Sequence, residues 1–126
     1  RYRTLIAVDD ALLRRQLATL LSIRWPLMIV AEAVNMTEAL ERAAALTPDL
    51  VLLDLGLPKI RVFERIRDIR EASAQARLIG LTSDGMSALR ARATDLGVDY
   101  FVPLDPAGYT ELVSLVGALQ QAPAPH

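Results

Sequence analysis

Short apolar runs alternate along the chain with longer segments in which apolar residues recur every three or four positions. Thr4 to Val8, Leu27 to Ala33, Leu50 to Leu53, Leu78 to Leu81 and Tyr100 to Val102 have the length of strands and are too short for buried helices. Leu13, Leu17, Leu20 and Leu21 mark a first helix, which the Trp25-Pro26 step ends because proline cannot continue the hydrogen-bond ladder. Ala39, Leu40, Ala43 and Leu46 mark a second, with Asn35 or Thr37 as its cap. The third, about Val62 to Glu71, buries Phe63, Ile66 and Ile69 and carries Arg61, Glu64, Arg67 and Glu71 on a solvated face. Met86, Leu89, Ala93 and Leu96 define a fourth, capped by Ser83 and stopped by Gly97, and Pro106 opens a fifth striped by Tyr109, Leu112, Val113, Val116 and Leu119.

Strand and helix in strict alternation predict an α/β fold, because parallel neighbours need right-handed crossovers. The flavodoxin-like strand order 2-1-3-4-5, with five helices around a doubly wound five-stranded parallel sheet, sets the first and third strands side by side. One domain is expected over residues 1–119. Residues 120–126, rich in Ala and Pro, read as a linker or frayed tail.

Composition narrows the class of function. A net charge of -1 from 14 basic and 15 acidic residues argues against a nucleic-acid or anionic-membrane surface. The absence of cysteine excludes disulfides and thiolate metal sites. The apolar runs fall far short of a membrane span, and the N-terminus lacks the apolar core of a signal peptide. A cytoplasmic protein without a membrane partner is the expectation. His126, the only histidine, stands in the tail and is a poor candidate for catalysis or metal binding.

Chemistry is expected where strands end. In an open parallel sheet the carboxyl ends of the strands are where loops and helix N-termini can reach a ligand. Asp54 ends the apolar run from Leu50 to Leu53, and Asp9 and Asp10 end the neighbouring strand. Three carboxylates converging in one crevice would repel, each pair by ~4 kcal/mol at 4 Å and an effective dielectric near 20. Either one of them is protonated or a hard divalent cation binds, and Mg²⁺ takes few carboxylates, a carbonyl such as that of Gly56, waters and a phosphate oxygen. The hydroxyl of Thr82, at the next strand end, can bond a phosphoryl oxygen. The set is suited to phosphoryl transfer onto Asp54.

Val8-Asp9-Asp10, Leu53-Asp54-Leu55-Gly56-Leu57-Pro58, Leu81-Thr82-Ser83 and Gly97-Val98-Asp99-Tyr100-Phe101, at their spacings, make the chain resemble the response-regulator receiver domains of two-component signalling, the CheY-like family. The resemblance covers the whole chain. It implies that Asp54 is the phosphoacceptor, that Asp9 and Asp10 hold Mg²⁺ or Mn²⁺ with Asp54 and the Gly56 carbonyl, that Thr82 is the switch hydroxyl and Phe101 the switch aromatic. It also implies a histidine kinase or phosphotransfer protein as donor. A homodimer through the face of the fourth helix, fifth strand and fifth helix is implied too, as is a C-terminal output module through which DNA would be bound. Such a domain is no enzyme beyond its own Mg²⁺-dependent phosphorylation and dephosphorylation.

Two positions depart from the family pattern. Where the family carries a lysine after the fifth strand, this chain has Leu104, which can neither donate a hydrogen bond nor carry charge. After Leu57-Pro58 the usual glycine-containing turn is replaced by Lys59, Ile60, Arg61 and Val62, so the turn must be built differently. Lys59, the only lysine, could stand in for the missing one, although a solvent-exposed loop residue is the plainer reading. These departures support an alternative: a degenerate receiver regulated by a partner or ligand without phosphorylation. A nucleotide hydrolase is disfavoured, since the chain has no Gly-Lys-Ser/Thr loop, no G-x-G-x-x-G and no G-x-S-x-G.

Overall fold

The computed structural model describes residues 1–56, 61–83 and 87–122. Leu57, Pro58, Lys59, Ile60, Met86 and His126, all used in the sequence argument, lie outside the described residues. The elements follow one another as β1 (Arg3–Ala7), α1 (Ala11–Arg24), β2 (Ile29–Ala33), α2 (Met36–Leu46), β3 (Leu50–Asp54), α3 (Val62–Ala72), β4 (Arg77–Thr82), α4 (Ser87–Leu96), β5 (Tyr100–Pro103) and α5 (Pro106–Gln121). All strand pairs are parallel, in the order β2-β1-β3-β4-β5. The expected doubly wound sheet is the observed one.

Alternation along the strands sorts the core into two layers. Leu5, Ala7, Val51, Leu53 and Leu78 meet α2, α3 and α4 through Ala39, Ala43, Ile66, Ile69 and Ala93. Ile6, Val8, Leu50, Leu52, Ile79 and Leu81 meet α1 and α5 through Leu17, Leu21, Leu112 and Val116. Both faces of β3 are therefore covered, which is why Leu50 to Leu53 form an unbroken apolar run.

Local chemistry fixes the boundaries. The side chain of Asn35 accepts the Glu38 N–H at 2.8 Å, while Glu38 reaches back to the Val34 N–H at 3.2 Å. These reciprocal bonds resemble a capping box. They hold the Glu38 carboxyl below its ordinary value, the Val34 N–H contributing most and the Arg42 side chain next. Asp105 caps α5 by accepting the Gly108 N–H at 2.7 Å. At Gly108 a Cβ would fall 1.7 Å from the Pro103 carbonyl oxygen, so only glycine fits this close passage from β5 into α5.

Several expected boundaries move. The second strand begins at Ile29, not Leu27, because Pro26 and Leu27 are used in a turn closed by the Met28 N–H donating to Trp25 O at 3.0 Å. Leu27 is left exposed. Helix α5 runs through Gln121, so Gln120 and Gln121, expected in the tail, are helical; the Gln120 amide donates to Val116 O at 3.3 Å. Helix α4 is described from Ser87, and the stretch between it and Ser83, its expected cap, lies outside the described residues. The turn before α3 places its left-handed residue at Arg61, with φ of 60°, and Val62 is buried as the first helical residue. The β-branched residue thus avoids the positive φ that it would resist.

No helix among the described residues is long and apolar enough to cross a membrane.

Candidate functional site

Asp54 is the last residue of β3 and is half-buried. Its Oδ1 accepts the Gly56 N–H at 2.7 Å, a two-residue turn that orients the carboxylate against its own loop. The Leu55 N–H donates to Leu81 O at 2.8 Å, so β3 and β4 stay paired right up to this turn. A Cβ on Gly56 would stand 3.0 Å from Asp54 Oδ1 and 3.6 Å from Ser83 Oγ. The small residue therefore leaves room between a carboxylate and a hydroxyl. Ser83, exposed just after β4, adds a polar group at this site beyond the helix-capping role expected of it.

On the neighbouring strand Ala7 pairs with Leu53, which puts Val8 at the level of Asp54 and the two aspartates just above it. They diverge there. Asp10 is the N-cap of α1, its Oδ1 accepting the Leu13 N–H at 2.9 Å. Asp9 turns toward α3, where Arg65 Nη1 lies 3.2 Å from its Oδ2. Among the described residues no three His, Cys, Asp or Glu side chains are grouped closely enough to hold a metal. Of the three carboxylates expected to converge, Asp10 is engaged as a helix cap and Asp9 faces Arg65. The repulsion that argued for a bound cation is eased by a helix N-terminus at Asp10 and a guanidinium at Asp9.

Arg14 builds the loop that carries the two aspartates. It is almost fully buried, with Nη1 donating to Val8 O at 3.0 Å and to Asp9 O at 3.2 Å. Its Nε stands 3.3 Å from Glu32 Oε1 on β2, an electrostatic contact that misses hydrogen-bond alignment. Glu32 also pairs with Arg15. Neither Arg14 nor Arg65 carried any signal in the apolar pattern. Both act across elements that periodicity treats separately.

The other expected site residues lie along β4 and β5. Thr82 ends β4, is buried, and its hydroxyl donates to Val102 O at 3.4 Å, a long bond directed at the neighbouring strand. Phe101 is half-buried against the α2–α4 side of the core, with the Arg90 guanidinium of α4 at 5.1 Å from its ring centroid. Leu104 follows β5, where its N–H donates to Thr82 O at 2.8 Å. Its side chain packs against the α1–α5 side of the core. Position 104, where the resemblance implies a lysine, thus holds an apolar side chain in apolar contact.

Among the described residues, the groups near Asp54 that could ligate an ion, the Gly56 carbonyl and the Asp9 and Asp54 carboxylates, are oxygens, the chemistry of a hard cation. With no group of three acidic side chains among the described residues, a cation here would use one or two carboxylates, the Gly56 carbonyl, water and a phosphate oxygen. That is the usual composition of a Mg²⁺ site. The residues therefore fit such an ion, with Asp9 already holding a positive group.

The response regulator receiver domain model matches residues 4–114. The transcriptional regulatory protein LnrK of Bacillus subtilis is 32% identical over 108 residues, covering 86% of this chain and 49% of LnrK. The chemotaxis protein CheY of the same organism is 29% identical over 98 residues, covering 78% of this chain and 82% of that protein. Thus the chain spans about half the length of LnrK. The crystal structure of the signal receiver domain of a DNA-binding response regulator from Colwellia psychrerythraea superposes with a TM-score of 0.84 at 22% identity, over 97% of this chain and 100% of that one.

Proposed function

The chain belongs to the response regulator receiver domain family, and from that premise we propose that it receives a signal as a phosphoryl group on Asp54. The carrying observation is the placement of Asp54 at the carboxyl end of β3, with Gly56 and Ser83 leaving space in front of its carboxylate. The donor is the phosphohistidine of a histidine kinase or phosphotransfer protein. A carboxylate oxygen of Asp54 attacks phosphorus in line, the P–N bond to the donor imidazole breaks, and the imidazole leaves with its electron pair and takes up a proton.

Within this reading the Gly56 N–H holds Asp54 Oδ1, which fixes the carboxylate for attack. Thr82 and Ser83 supply hydroxyls for the phosphoryl oxygens, Thr82 by turning from Val102 O, and Phe101 follows as the switch aromatic. Asp9, Asp54 and the Gly56 carbonyl are the groups that would hold Mg²⁺ or Mn²⁺. Asp10, engaged as a helix cap, contributes its charge nearby. When bound, the ion neutralises charge on the transferring group. The domain spans residues 1–119 with the helical extension to Gln121, works in the cytoplasm and pairs with a second copy through α4, β5 and α5. LnrK, named for transcriptional regulation, supports a transcriptional, DNA-binding output module.

A second reading, a receiver that signals through a partner or ligand without phosphate, has one observation in its favour: Leu104 offers core contact where the family has a cation. One experiment separates the two. The protein is incubated with a small phosphodonor and Mg²⁺ beside a competent receiver, and intact mass is measured. One added phosphoryl group that vanishes in Asp54→Ala is expected. An unlabelled wild type beside a labelled control would leave the second reading standing.

A further inference from the structure

Arg65 stands on α3 and its guanidinium crosses to the loop after β1, 3.2 Å from Asp9 Oδ2. The Arg65 side chain is 27% exposed and that of Asp9 42%, so the pair sits at the mouth of the crevice, neither sealed in the core nor fully solvated. Guanidinium is charged at every pH a protein survives. Asp9 therefore meets a permanent positive charge supplied by the chain itself, on the carboxylate that a divalent cation would need.

We infer that Arg65 is a built-in counter-ion that competes with the divalent cation for Asp9, and must leave that carboxylate before the metal-loaded site can form. This rests on the metal reading of the same site. The departure costs little: the half-exposed side chain can extend into water, and a pair of this exposure is worth only a modest stabilisation. Competition of this kind lowers cation affinity without abolishing it. It ties metal occupancy to the position of an α3 side chain, and hence to whatever binds or moves that helix.

The test is calorimetric titration of Mg²⁺ into the intact wild type and the Arg65→Gln, Arg65→Lys, Asp9→Asn and Asp9→Asn/Arg65→Gln variants, with circular dichroism confirming the fold. Arg65→Gln is expected to bind Mg²⁺ about two- to fivefold more tightly than wild type, the range set by the worth of such pairs. Arg65→Lys should fall between them, and Arg65→Gln should give no gain once Asp9 is Asn. Arg65→Met serves in place of the glutamine variant if that one is misfolded. Equal or weaker binding by Arg65→Gln overturns the competition while leaving the metal reading intact. No Mg²⁺ binding by any variant, Arg65→Gln included, overturns both.

Discussion

Arg70 on α3 and Asp99, just ahead of β5, are joined by an ion pair of 2.9 Å that closes the end of the sheet opposite the acidic loops. The same guanidinium donates to Ala76 O at 2.6 Å and to Gly97 O, and Asp99 Oδ2 also accepts the Leu78 N–H at 2.8 Å. Three connections, α3 to β4, α4 to β5 and β5 to β4, therefore share one charged node. Gly97 makes the approach feasible: its φ is +122°, and a Cβ there would fall 2.7 Å from Arg70 Nε. Arg70→Ala should leave the Ala76 and Gly97 carbonyls without this donor and the Asp99 carboxylate without its partner, costing about 2 kcal/mol. Urea denaturation measures the loss. A change below about 0.5 kcal/mol, the usual surface value, would show that water replaces the node.

That node was invisible in the sequence, and the reason is physical. The strands were legible because both faces of the sheet are covered, so burial leaves continuous apolar runs at Leu50 to Leu53 and Leu78 to Leu81. Capping was legible where the residue type has one dominant local use, as with Asn35 before α2. Arg14, Arg65 and Arg70 were not, because a long cationic side chain at a polar helix position reads as solvated until the facing element is known. Arg65 finds its partner 56 residues away and Arg70 29 away. The same limit applies to Asp9 and Asp10. Topology located them at one strand end, but only packing could reveal that one caps a helix and the other turns to α3.

Titration offers a check on the other end of the sheet. Burial of Tyr2, reinforced by the nearby Asp49 carboxylate and opposed by Arg77, pushes its phenol from 10.0 to about 12. A raised acid favours its neutral form in the folded chain. The associated stability is fully present below about pH 10 and is lost as pH climbs toward about 12. The urea midpoint of the wild type should therefore fall relative to that of Tyr2→Phe across this window, and the late-rising part of the tyrosinate absorbance should vanish in the variant. A wild-type-minus-variant difference that stays constant with pH would show that Tyr2 ionises alike in the folded and unfolded chain.

Leu104→Lys tests whether a cation at this position, which the resemblance implies, would speed the proposed phosphoryl transfer onto Asp54. The backbone there is already positioned, since the Leu104 N–H donates to Thr82 O at 2.8 Å and so continues the β4–β5 pairing to the strand ends beside the site. The side chain gives up apolar contact with the α1–α5 side of the core, a loss of about 1–2 kcal/mol that the lysine stem partly recovers while its ammonium reaches outward. A charge-assisted bond to the phosphoryl group is worth about 1.5–3 kcal/mol. If it forms in the transition state, Asp54 labelling by a small phosphodonor should quicken by roughly ten- to a hundredfold. Stability and rate then move in opposite directions in one variant, which separates an effect on chemistry from a general change in the fold. A less stable protein labelled at the wild-type rate would mean that position 104 no longer addresses Asp54. The cation serving that carboxylate would then have to come from elsewhere in the crevice.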